Sequence, residues 1–216
     1  MTSVTKGFGL AALFLGMMAG AAGQAVGATI VNGDFEQGSV DPGGFFVVLD
    51  GGSTAITGWT VTGDSIEYVG GLWQASSGLR SLDLSGRAAG GIRQTFATAV
   101  NQVYRIRFDL AGNPDSGPAV KAVRLSVNGQ EQDFTFDTTG KTRANMGYIP
   151  MIFDFTAVSD STTLAFTSLT TTFAGPVLDN VSVTAAPEPS TLAMSGIALV
   201  MLGLGYARRR RQTADA

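Results

Sequence analysis

The chain has 216 residues, with 14 Lys and Arg against 17 Asp and Glu, no histidine and no cysteine. Those absences exclude disulfides, Ser-His and Cys-His nucleophile systems, and zinc held by histidine or cysteine. Between residues 29 and 186 the charge balance is 9 basic to 15 acidic side chains, a net of −6. Such a surface repels nucleic acid, whose binding depends on cationic neutralisation of phosphates.

Residues 1–28 begin with a short head carrying Lys6, continue as an apolar run over 8–22, and close on small residues. This layout predicts a secretory signal peptide. Val26, Gly27 and Ala28 place cleavage by signal peptidase after Ala28, with Ala25 as the second choice. The apolar run is shorter than the ~20 residues a bilayer requires, which argues against an uncleaved anchor.

Residues 29–186 are one domain by length, long enough to bury a core without staples. No stretch of it shows a sustained helical period. Residues 103–110 put Tyr104, Ile106, Phe108 and Leu110 on one face and Arg105, Arg107 and Asp109 on the other, which is the alternation of a half-buried strand. Residues 123–127 repeat it, and Asn128-Gly129 follows as a hairpin signal. Segments 134–136, 152–155, 164–166 and 177–183 continue the pattern. Eight to eleven short strands joined by glycine-rich turns predict an all-β sandwich, with the jelly roll fitting this length best.

The C-terminus has three parts: Pro187-Glu188-Pro189, an apolar segment over 192–207, and Arg208, Arg209, Arg210 and Arg211, with 212–216 as a tail. Sixteen residues of helix span about 24 Å, short for a ~30 Å hydrocarbon core. Tyr206 suits the interface, and the four arginines keep the terminus cytoplasmic, which leaves the domain across the inner membrane. This ordered arrangement resembles the PEP-CTERM sorting signal of Gram-negative bacteria that make exopolysaccharide. The resemblance implies recognition by an exosortase, cutting near residues 187–189, and a final address at the cell surface or outside it. Ala186 stands where many relatives carry valine.

Within the domain, Asn32-Gly33-Asp34-Phe35-Glu36, the segments 56–61, 66–69, 73–76, 81–86 and 108–114, and Leu178-Asp179-Asn180-Val181 together resemble the choice-of-anchor C family. That family is similar to plant cell-wall proteins with a related domain and to carbohydrate-binding modules of the galactose-binding-like jelly roll. The resemblance implies one structural calcium ion held by Glu36 and Asp179, with Asp34 or Asn180 as further ligands. The alternative is that Glu36 and Asp179 bond backbone amides and close the sandwich.

Sugar binding needs an exposed flat aromatic with planar polar groups around it. Tyr68, Trp73, Gln74 and Tyr148 are the candidates, because residues 70–78 read as a loop, whereas Trp59 reads as core. The alternative is that Tyr68 and Trp73 pack inside. A carboxylate-pair glycosidase would draw on Glu67, Asp83 and Asp109, but Asp83 and Asp109 occupy alternating strand positions where a solvent-facing charge is expected. The sequence therefore predicts no catalytic residues. It reads as an exported, non-enzymatic surface or matrix protein with exopolysaccharide or a cell-surface glycan as partner. A structural biofilm protein without a ligand is the alternative, and a glycoside hydrolase comes third.

Overall fold

The computed structural model describes residues 29–186; the expected signal peptide (1–28), the sorting motif with its apolar segment and arginines (187–211), and the tail lie outside the described residues. Those described fold as two packed antiparallel sheets with no helix among them.

In chain order the strands are β1 (Phe46–Asp50), β2 (Thr60–Gly63), β3 (Ser65–Val69), β4 (Ser81–Asp83), β5 (Gly90–Ala97) and β6 (Val103–Gly112). They continue as β7 (Val120–Val127), β8 (Gln130–Asp137), β9 (Ile149–Thr156), β10 (Ser161–Ser168) and β11 (Pro176–Ala185). The first sheet has the order β1-β3-β4-β11-β6-β9 and the second β2-β5-β10-β7-β8. Sequence-distant neighbours such as β4 and β11 pair, so the chain crosses between sheets repeatedly, as a sandwich requires.

The alternation expected for residues 103–110 holds in β6. Tyr104, Ile106, Phe108 and Leu110 are buried between the sheets. The Phe108 ring meets Phe166 of β10 at 4.9 Å and Phe134 of β8 at 5.2 Å, both edge-on. Asn128 and Gly129 turn the β7–β8 hairpin with φ of 50° and 73°, the twin positive angles of the turn whose twist matches the flanking strands. Trp59 is core, as expected, and its Nε1 donates to the Asn32 carbonyl at 3.0 Å.

The two ends of the domain meet. A bulge in β11 between Asp179 and Ser182 lets Gly33 lie against it, with the Val181 N–H donating to the Gly33 carbonyl at 2.8 Å. A Cβ at residue 33 would stand 1.8 Å from the Val181 carbonyl oxygen, so only glycine allows this approach. The contact brings Glu36 and Asp179 to one edge of the long loop between β3 and β4.

Candidate functional site

Residues 70–80 leave β3, fold back over the outer face of the first sheet and re-enter as β4. Carboxylates from both ends of the domain hold this strap. Glu36 Oε1 accepts the N–H groups of Leu79 and Arg80, each at 2.7 Å. Asp179 Oδ2 accepts those of Ser76 and Ser77 at 2.8 and 2.9 Å, and its Oδ1 accepts that of Asn180 at 2.6 Å. Burial pushes the Asp179 carboxyl up to about 7, while the N–H bonds from Ser77, Asn180 and Ser76 pull the other way. Asp109 completes the clamp, its Oδ2 accepting from Ser76 Oγ at 2.6 Å and Asn180 Nδ2 at 3.1 Å.

The expected calcium ligands do not fit a cation. The oxygens of Glu36 and Asp179 that face the strap are taken by amide donors, Asn180 turns its NH₂ group to Asp109, and Asp34 is exposed. Among the described residues no three acidic side chains converge as a metal group would need. Glu36 and Asp179 instead make the bonds of the alternative reading, gripping backbone amides that close the sandwich.

The two strands that the strap joins carry an acidic pair. Glu67 of β3 and Asp83 of β4 are register partners, so their side chains share one face of the sheet. Both are buried, and this corrects the expectation that Asp83 faces solvent. Asp83 Oδ1 accepts the Ser85 and Gly175 N–H groups at 2.9 and 3.0 Å, and its Oδ2 accepts Asn113 Nδ2 at 2.8 Å. Burial pushes Asp83 up to about 8, and the Glu67 charge adds to the rise. Glu67 is pushed up to about 7, by burial first and then by Asp115. Lys121 is also fully buried; it donates to the carbonyls of Ser116 and Ala174, and burial lowers its ammonium. Asp83, fully buried with its oxygens engaged, cannot touch a substrate, which removes it from a glycosidase pair.

The expected aromatic platform is largely internal. Tyr68 is 0 % exposed and Trp73 5 %, so neither ring offers a face to a sugar. The Tyr68 hydroxyl donates to the Phe35 carbonyl and accepts from Arg80 Nη1, both at 2.6 Å. Trp73 Nε1 donates to Ser81 Oγ at 2.9 Å. Tyr148 is half-buried, with its hydroxyl enclosed near Ser81. Of the four residues only Gln74 is exposed. The glycine-rich loop reads as open in sequence, but it closes onto the sheet and carries its tryptophan inward.

The surface that sequence reasoning missed is the outer face of the second sheet. Thr60, Arg93, Thr95 and Thr163 come together there, with Thr95 Oγ1 and Thr163 Oγ1 2.7 Å apart. Two adjoining depressions share Thr163. One of about 450 Å³ is lined by Gly58, Thr60, Arg93, Gln94, Thr95 and Thr163. The other, of about 400 Å³, is lined by Ser126, Val127, Asn128, Gly129, Thr163 and Ala165. Arg93 is exposed and takes part in no ion pair among the described residues, whereas Arg124 on the same sheet is held by Asp133 and Glu131. The available signal was the period-two spacing of hydroxyl residues in β2 (Thr60, Thr62) and β10 (Ser161, Thr163, Thr167), with Thr95 two residues after Arg93 in β5.

Residues 28–184 match the family model described as Protein of unknown function (DUF642). The chain belongs to the DUF642 family. The matched family is thus DUF642, and the choice-of-anchor C membership expected from the motifs is not what the match names. Residues 185–211 match the PEP-CTERM protein-sorting motif, which marks this DUF642 protein as exported with a C-terminal anchor. The chain is 28 % identical over 165 residues to Halomucin of Haloquadratum walsbyi; the match covers 74 % of this chain and spans only 2 % of that protein. Among solved structures, the DUF642 chain is similar to a family 35 carbohydrate binding module from Clostridium thermocellum, at 15 % identity and a TM-score of 0.43, covering 65 % of this chain and 92 % of that one. It is also similar to a CBM35 from Paenibacillus barcinonensis, at 20 % identity and a TM-score of 0.42, covering 65 % and 99 %.

Proposed function

We propose that this chain is an exported, non-enzymatic surface or matrix protein, sorted by an exosortase, that binds polysaccharide along the outer face of its second sheet. Export rests on the sorting motif, which begins at residue 185, on the last residue of β11, so that the working domain and its handle abut. The binding reading rests on one observation: the Arg93 guanidinium, in no ion pair among the described residues, stands among Thr60, Thr95 and Thr163 where two depressions adjoin. A planar guanidinium donates to paired sugar oxygens, and hydroxyl groups exchange donors and acceptors with sugar hydroxyls. With no aromatic ring lining either depression, each contact is weak, and binding gains strength from many copies along one polymer.

Affinity electrophoresis through a gel containing the producer's own exopolysaccharide tests this. Retardation of the protein that is lost in Arg93→Ala supports the reading. Equal mobility with and without polysaccharide favours a structural matrix protein that holds no ligand. Release of reducing sugar would instead restore the glycosidase.

A further inference from the structure

Ala186 leaves the sandwich at one particular end. Its N–H donates to the Val103 carbonyl at 2.8 Å, and its own carbonyl accepts from Gln102 Nε2 at 3.3 Å. The Asn128-Gly129 hairpin turn lies at this end, its Asn128 Nδ2 donating to the Thr156 carbonyl at 3.5 Å, together with two further turns, residues 98–102 between β5 and β6 and residues 157–160 between β9 and β10. They are joined to each other: the Asn101 N–H donates to the Ala157 carbonyl, the Ala157 N–H to the Gln102 carbonyl, and the Thr98 N–H to the Asp160 carbonyl. On them Val100 is 56 % exposed and Val158 69 %, and Val103 beside the exit is 38 % exposed. Asp160 is the single charged residue of the two turns. The turns at the opposite end, over 113–119 and 138–148, carry Asp115, Lys141 and Arg143.

The apolar segment begins at Leu192, and six residues reach at most about 20 Å. The ten residues of β6 span about 33 Å, so the opposite end stands well clear of any bilayer that holds the segment. An end whose turns carry one charge, Asp160, and which bears three exposed valines is therefore tied to the membrane at close range, where a tether makes even a weak apolar contact persist. We infer that Val100, Val103 and Val158 form a bilayer-facing patch on which the domain rests while the precursor is anchored. The patch has no cation, so its contact is with the apolar part of the lipid interface and does not depend on anionic headgroups. The inference rests on the proposed anchoring of the precursor.

The chain has no cysteine, so single cysteines report cleanly. Full-length precursor carrying Val158→Cys or, at the far end, Phe173→Cys is labelled with an environment-sensitive fluorophore and reconstituted into phosphatidylethanolamine–phosphatidylglycerol vesicles. The expected result is a blue-shifted emission at residue 158, with quenching by lipid-borne nitroxide and loss of iodide quenching. Residue 173 should stay open to iodide, and replacing phosphatidylglycerol by phosphatidylcholine should change neither. Extraction of the precursor by alkaline carbonate would overturn the anchor itself and the patch with it. Carbonate-resistant precursor in which residue 158 is as open to iodide as residue 173 would overturn the patch alone.

Discussion

Glu36 and Asp179, from opposite ends of the domain, grip the same strap, Glu36 at Leu79 and Arg80 and Asp179 at Ser76 and Ser77. The strap has little regular structure of its own, so these bonds, with the Trp73 indole, hold it on the sheet. Asp179→Ala leaves the N–H groups of Ser76, Ser77 and Asn180 without their acceptor. Above about pH 7, where the Asp179 carboxyl is ionised, a bond to this charged acceptor contributes ~1.5–3 kcal/mol, so the variant should there lose about 3 kcal/mol, read as a lower urea midpoint of the 29–186 domain. Chelator should leave the melting temperature of the native domain unchanged, because amide donors fill the positions a calcium ion would need. A chelator-dependent drop would return calcium to this clamp.

The buried carboxyls give a signed pH dependence. Glu67, Asp83 and Asp179 hold their protons in the folded domain up to about 7, 8 and 7, whereas unfolded carboxyls release theirs near 4. Between those limits the folded state binds more protons than the unfolded state, so these groups contribute stability that is full below about pH 4 and lost as pH rises toward 8. Glu67 accepts none of the described hydrogen bonds, so Glu67→Gln removes its charge at little cost. Thermal melts should show that variant matching the native domain at pH 5 and exceeding it at pH 8.5. An equal shift at both pH values would mean that Glu67 titrates normally.

Gly33→Ala drives a methyl group into the Val181 carbonyl, where no flexible side chain can yield. The bulge of β11 or the N-terminal segment must move, and the loss should reach several kcal/mol, among the largest for a single methyl. Circular dichroism melts would show it.

Trp73 and Arg93 separate stability from binding. Trp73→Ala empties a packed site and should cost about 3–5 kcal/mol. Arg93→Ala, on an exposed strand position without an ion-pair partner among the described residues, should stay within about 0.5 kcal/mol of native while losing retention on polysaccharide. Parallel urea titrations and affinity gels distinguish the two outcomes.

The sandwich was legible where one face of a strand is wet. In β6 and β7 the apolar side chains alternate with Arg105, Arg107 and Arg124, and Asn128-Gly129 marks the turn after β7, so local chemistry decides the structure. Strands β3 and β4 hid their surroundings, because Asp83 has the spacing of a solvent-facing charge. It is enclosed with Ser85, Asn113 and Gly175 as its partners, two of them far away in the chain, a non-local fact that no window of sequence contains. For Trp73 the sequence leaves a sugar platform and the interior both open for the same reason, and the ring packs inside: glycines around it announce a loop, but not the direction in which that loop folds. The threonine face escaped notice because threonine at an exposed strand position is ordinary, and only the packing of β2, β5 and β10 gathers the hydroxyls around Arg93.

The whole reading depends on the domain being a product that loses both of its ends. Mass spectrometry of the protein recovered from producer cells, outer membrane and culture medium tests this most directly. The account predicts a polypeptide starting at Thr29 and ending near residues 187–189, without Arg208 to Arg211, found beyond the inner membrane. Recovery of the intact 216-residue chain as a soluble cytosolic protein would contradict it.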